Sequence, residues 1–255
     1  MTKIDPIRVH FERAALIEKF VTLAFISGCI LSIALLVVQD KAYPKLSDIL
    51  QTLFIVVSVS IFVVGNISRL FMQAYAEESR VGDFCGRAFS VGISANETSG
   101  YYNDGETQPF KRIASQLLED LLFTKNVSAV AVKPVRGWTV AYLVLWLCLL
   151  VWRDVRLDYI SIFSQAIFSE EILSKWIRLE WLRYRSEHLY EDVYKIIKTK
   201  PTGAVFSASI LEKFTIYERV KATAAVILPD AVFEKINPSL SARWEEIKKE
   251  VGIRA

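Results

Sequence analysis

Histidine occurs twice and cysteine three times in 255 residues, and each scarcity removes a class of protein. Cys29, Cys85 and Cys148 are odd in number and far apart, so they build no disulfide framework and fit a reducing compartment. Neither histidine has a second metal-ligand type at useful spacing, so no metal site is expected. There is no glycine-rich loop closing on Gly-Lys-Ser/Thr, no nucleophile elbow, no paired-histidine zinc motif and no CxxC. The expectation is a protein that is not an enzyme, takes no cofactor and has no small-molecule substrate. The acid pairs Glu119-Asp120, Glu170-Glu171, Glu191-Asp192 and Glu245-Glu246 read as solvated helix faces, and His188, between Glu187 and Glu191, as a surface residue. A formal net charge of +3 is too small to imply nucleic-acid binding by itself.

Charge is also what two segments lack. Residues 20–38 and 49–68 are apolar and uncharged. Nineteen or twenty residues of helix cover about 30 Å, the thickness of a bilayer's hydrocarbon core. A soluble core helix would carry charge on its solvent side. The connector, residues 39–48, is short, polar and interrupted by Pro44, which suits a tight hairpin. A signal peptide is rejected for the first run: it is too long, no small-x-small cleavage site follows, and a second span comes directly after. Lys3, Arg8, Arg13 and Lys19 precede the first span and Arg69, Arg80 and Arg87 follow the second, against only Lys41 and Lys45 between them. Both termini are therefore expected in the cytoplasm, with the connector outside.

The expected fold class is mainly α: an N-terminal two-helix transmembrane hairpin with a cytoplasmic helical domain. Residues 1–19 form an amphipathic lead through Ile7, Phe11, Ala14 and Ala15, residues 20–68 the hairpin, and residues 69–255 the helical domain. The second span is expected to continue as a stalk through Phe71, Tyr75, Phe84 and Phe89, followed by a long loop over residues 92–108. Pro109 opens a helix that buries Ile113, Leu117, Leu118, Leu121 and Leu122. Residues 138–152 are apolar but short for a span, so a buried or interfacial helix is favoured over a third crossing. Residues 157–168 make a poor membrane partner because of Asp158. Ser169 caps a helix reaching about Lys200, with Glu171–Lys175 and Glu191–Lys195 as i,i+4 pairs. A helix is expected over residues 209–228, although alternation within residues 205–220 also fits strands. A last helix is expected from Asn237-Pro238 to near Gly252.

Two stripes stand out on the spans. Ala24, Gly28 and Ser32 place small residues on one face of the first, where close helix approach in lipid needs them. Gln51, Ser58 and Gly65, seven apart on the second, could line a water path when copies assemble, or bond to the first span within one hairpin. The lipid bilayer and further copies of the chain are thus the expected partners. In the loop, Tyr101, Tyr102, Asn103 and Asp104 combine turn-forming residues with rigid aromatic area, suited to a partner or to covering the domain's own core.

This layout resembles the small two-transmembrane effectors of retron anti-phage defence systems. The residues that carry the resemblance are the two apolar runs, the charged stalk Glu77, Glu78, Ser79 and Arg80, and the loop from Gly100 to Gly105. The resemblance implies a toxin of the bacterial inner membrane, held inactive by a reverse transcriptase and its multicopy single-stranded DNA. On infection it would be released, permeabilise the membrane and kill the cell by abortive infection. The rival expectation is a membrane-anchored adaptor or receptor whose hairpin tethers an interaction domain.

Overall fold

The computed structural model describes residues 5–38, 43–93, 97–98, 102, 105–151, 170–199 and 203–254. The protein is mainly α, and no strand occurs among the described residues. In chain order the elements are α1 (Arg8–Val37), α2 (Pro44–Ile67), a π-helical turn π1 (Ser68–Gln73), α3 (Ala74–Phe89), α4 (Pro109–Val151), a second π turn π2 (Glu170–Ser174), α5 (Lys175–Thr199), α6 (Gly203–Ala224) and α7 (Asp230–Val251). The strand alternative within residues 205–220 is excluded, because α6 runs through it. Pro44 opens α2 rather than interrupting the connector, since its missing amide and fixed φ suit a first helical turn.

The chain divides into two compact units. The first, here the helical unit, comprises Met1–Phe11, Ala74–Val132 and Arg178–Ala255. Its core joins Phe84 and Ala88 of α3, Leu117, Leu118, Leu121 and Leu122 of α4, Leu182, Leu189 and Val193 of α5, Ile210, Tyr217 and Val220 of α6, and Trp244 and Ile247 of α7. The expected buried face of α4 is therefore in place. Asp83 fixes the start of the loop after α3 by accepting the Thr98 backbone N–H at 2.8 Å and hydroxyl at 2.7 Å. At the loop's end Glu106 accepts the Arg254 amide at 3.0 Å. The last helix differs from expectation: α7 opens at Asp230 behind Pro229, and Pro238 lies inside it. Asp230 supplies the acidic first turn that favours a helix start, and the interior proline removes one intrahelical donor and crowds the Glu234 carbonyl without ending the helix. Gly252, at φ 73°, ends α7 as expected, in a left-handed conformation that costs glycine little.

The second, apolar unit comprises Glu12–Gln73 and Lys133–Ile177. Its helices turn large apolar side chains outward, among them Phe20 and Ile30 of α1 and Val59 and Phe62 of α2, the last 71% exposed. Hydroxyls on these helices return to their own backbone: Ser27 donates to the Leu23 carbonyl at 3.0 Å and Ser60 to that of Val56 at 2.7 Å. Such bonds let a polar side chain sit in hydrocarbon. Residues 138–151 remove the buried-helix alternative from the sequence reading. They continue α4 without a break, and Trp138 (73%), Val144, Leu147 and Val151 (83%) are exposed, so this is no buried core helix. Trp152 and residues 157–168 lie outside the described residues, as does Ser169. Among the described residues three helices are long and apolar enough to cross a membrane: those within Arg8–Leu35, Pro44–Phe89 and Pro109–Cys148. Lys175 pairs with Glu18 of α1 at 2.6 Å rather than with Glu171, which instead accepts from Thr22 of α1 at 3.4 Å. Glu191–Lys195 forms at 3.9 Å between exposed side chains and is worth little.

Candidate functional site

In the apolar unit, Gly28 is buried, and a Cβ built there would meet Val57 Cγ1 of α2 at 3.6 Å. Ala24 and Ser32, one turn to either side, are half-buried. Gln51 and Ser58 are exposed on α2, and around Gly65 there is open space, with no heavy atom within 4 Å of a built Cβ. Gln51 Nε2 donates to Ser47 Oγ at 3.3 Å, one turn earlier on the same helix. Gly28 thus faces a neighbouring helix, while Gln51 and Ser58 face outward.

The helical unit holds a cluster of charge that no motif announced. Lys221 of α6 places its ammonium 3.0 Å from Glu77 of α3 and 3.0 Å from Glu218. The same ammonium lies 5.1 Å from the centre of the Tyr217 ring, and the Tyr217 hydroxyl shares a 2.7 Å hydrogen bond with Thr124 of α4. Asp120 of α4 accepts a 2.9 Å hydrogen bond from the Tyr102 hydroxyl, whose ring stands edge-on to Phe84 at 5.8 Å. Asp120 is therefore no solvated surface acid. Its carboxyl is pushed up to about 6, by burial first and by Glu77, against the pull of Lys221, Tyr102 and Arg80. Burial also raises Glu218, opposed by Lys221. On Lys221 burial acts downward, but Glu77, Tyr217, Glu218 and Asp120 outweigh it and hold the ammonium well above its ordinary value. Burial raises the Tyr217 phenol. Chemically the cluster can hold or release a proton and can tie α3, α4 and α6 together.

Tyr102 therefore covers the unit's own core, one of the two roles open to the loop tyrosines, while Tyr101, Asn103 and Asp104 lie outside the described residues. His188 is exposed, its ring against Tyr184 at 4.3 Å. Among the described residues no group of three or more His, Cys, Asp or Glu side chains is placed to hold a metal ion, and the cysteines are free. Sequence reasoning missed Asp120, Thr124, Tyr217 and Lys221. A signal was there: Ile113, Leu117, Asp120, Leu121 and Thr124 recur at three- and four-residue steps, which puts the carboxylate on the buried stripe. No protein family, curated protein or solved structure matches the chain.

Proposed function

We propose that this chain is a membrane-permeabilising, pore-forming effector of a bacterial anti-phage abortive-infection system, seated in the inner membrane and kept inactive by a partner complex until infection. The observation that carries the pore is the exposure of Gln51 and Ser58 on α2, whose other outward side chains from Leu53 to Ile67 are Val, Ile, Leu and Phe. Polar side chains in hydrocarbon favour the company of one another and of water. Copies brought together on this face would hide it from lipid and enclose a polar path. The defence setting, with a reverse transcriptase and its multicopy single-stranded DNA as the restraining partner, rests on the resemblance alone.

Chain connectivity supports placing both termini on one side. The helical unit comprises residues from before and after each stretch of the apolar unit. With Met1–Phe11 and Ala74–Val132 in one compact unit, the reading has residues 12–73 leave and return by the same membrane face. The basic residues flanking the first two spans make it the cytoplasmic one.

An adaptor tethered by the same helices is the second reading, favoured by the helical unit's own core. Membrane-potential dye fluorescence separates the two, in cells holding equal membrane amounts of wild type and of a Gln51→Leu/Ser58→Leu double variant. A pore lined by α2 depolarises as wild type and loses this in the variant, because leucine favours dewetting of a narrow path. An adaptor depolarises in neither form. Equal depolarisation by both would move the path to another face.

A further inference from the structure

We infer that the Asp5–Arg80 ion pair is a latch by which the helical unit grips the first turn of α1, and that opening it changes the state of the first span. The last step rests on the pore-forming reading above. α1 starts inside the helical unit: Ile7 is fully buried, and residues through Phe11 belong to that unit. Asp5 Oδ2 accepts from Arg80 of α3 at 3.0 Å, with the two side chains 12% and 13% exposed. Its other oxygen accepts the backbone N–H of Arg8, the first residue of α1, at 3.2 Å. One carboxylate therefore starts the helix and fastens it to α3. The grip is reinforced around it. The Arg80 guanidinium lies 5.7 Å from the centre of the Phe11 ring, and His10 packs edge-on to Tyr75 of α3 at 5.0 Å. Arg8 reaches Asp230 and Glu234 of α7 at 3.9 and 3.8 Å.

What makes this a latch is the helix that follows. Between Arg8 and Ser27, α1 has no proline and no glycine, and its first glycine is Gly28 against α2. Sharp kinks need such a residue or a break in the hydrogen-bond ladder, so a movement of the first turn is carried into the apolar run rather than absorbed. A nearly buried ion pair adds little net stability over apolar packing, and its best-attested use is to select one arrangement over others. It can also open without emptying a core. Held, it restrains the first turn of the helix that becomes the first span. Opened, it leaves the span free to reassociate.

The test uses the full chain in lipid nanodiscs for hydrogen exchange and in cells for membrane potential. In Arg80→Gln, amides of residues 11–15 should exchange at least about tenfold faster, while those of residues 117–122 keep their protection. The charge swap Asp5→Arg/Arg80→Asp should slow the exchange again by restoring the ion pair, though not fully, because it removes the carboxylate that accepts the Arg8 N–H. In cells, Arg80→Gln should depolarise more deeply than wild type at equal membrane content, and the swap should bring it back towards the wild-type level. Unchanged exchange at residues 11–15 would overturn the latch. So would loss of protection throughout the helical unit that the swap leaves uncorrected, which marks Arg80 as a folding residue. Faster exchange with depolarisation equal to that of an active wild type would break the link to the span. Faster, swap-corrected exchange with no depolarisation by any form would support the grip and sink the pore-forming reading instead.

Discussion

From Ile113 to Val132, α4 turns Leu117, Leu118, Leu121 and Leu122 inward and carries Glu119, Asp120 and Lys125 beside them. From Trp138 to Val151 the same helix has no charge at all, and Trp138, Val144, Leu147 and Val151 face outward. One backbone thus obeys two opposite burial rules. In the first part, removing apolar surface from water drives the packing. In the second, leaving that surface outside is favourable only if the medium outside is itself apolar, and helix contacts must then rest on shape and polar pairing. Pro134 falls between the two parts and removes the donor that would have served the Val130 carbonyl.

The sharpest way to break this comparison is one substitution made twice. Leu117→Ala, in a fully buried site, should lower the stability of the helical unit by about 2–5 kcal/mol. Leu145→Ala, at a side chain 45% exposed, should cost less than about 0.5 kcal/mol. Thermal unfolding in nanodiscs, followed by exchange at core amides, reads both. Equal losses would mean that the second part of α4 is a protein core after all.

A smaller effect sharpens the contrast within the first part, where a carboxylate shares the buried stripe. Asp120 is held at about 6, above the usual value for an unfolded chain, so its neutral form is the one the fold favours. Its contribution is fully present below about pH 4 and is lost as pH rises through about 6. Asp120→Asn keeps an acceptor for Tyr102 and removes the charge. The variant should gain on the order of 1–2 kcal/mol over wild type at pH 7.5, and the gain should shrink towards pH 4.5. A gain independent of pH, read from melting curves of the two proteins, would show that Asp120 does not titrate in this range.

The smallest effect concerns packing in the apolar unit. Gly28→Leu must push Val57 away and should lower the unit's resistance to unfolding by detergent by about 1–2 kcal/mol. Ile30→Leu, at an exposed site, should leave the detergent midpoint unchanged. Equal midpoints for the two variants would remove the α1–α2 contact as a source of stability.

Much of this was legible in the sequence because local signals act locally. The uncharged runs, the start at Pro109, the buried stripe from Ile113 to Leu122 and the stop at Gly252 each follow from residues within a few turns of one another. Where the sequence misled, a local signal had a rival. Pro238 has the look of a first-turn proline, but Pro229-Asp230 supplies an earlier start and the helix tolerates the interior proline. Glu171 and Lys175 have the right spacing, but a π turn occupies residues 170–174 and both side chains find partners on α1. Residues 138–151 were read as a separate short segment, whereas they are the end of a longer helix. The Glu77–Lys221 pair spans 144 residues of chain, and no periodicity announces a contact at that distance.

The interleaving of the helical unit sets a timetable for biosynthesis. Leu117 and Leu121 leave the ribosome long before Trp244 and Ile247, the α7 residues of the same core cluster. At ordinary elongation rates the interval is on the order of ten seconds. Throughout it the apolar helices α1 and α2 are already made, while the core that binds the start of α1 is unfinished. A ribosome that stalls between α4 and α7 therefore delivers the membrane segments without the complete body that would hold them, and such a product depends on a protease or chaperone rather than on its own fold.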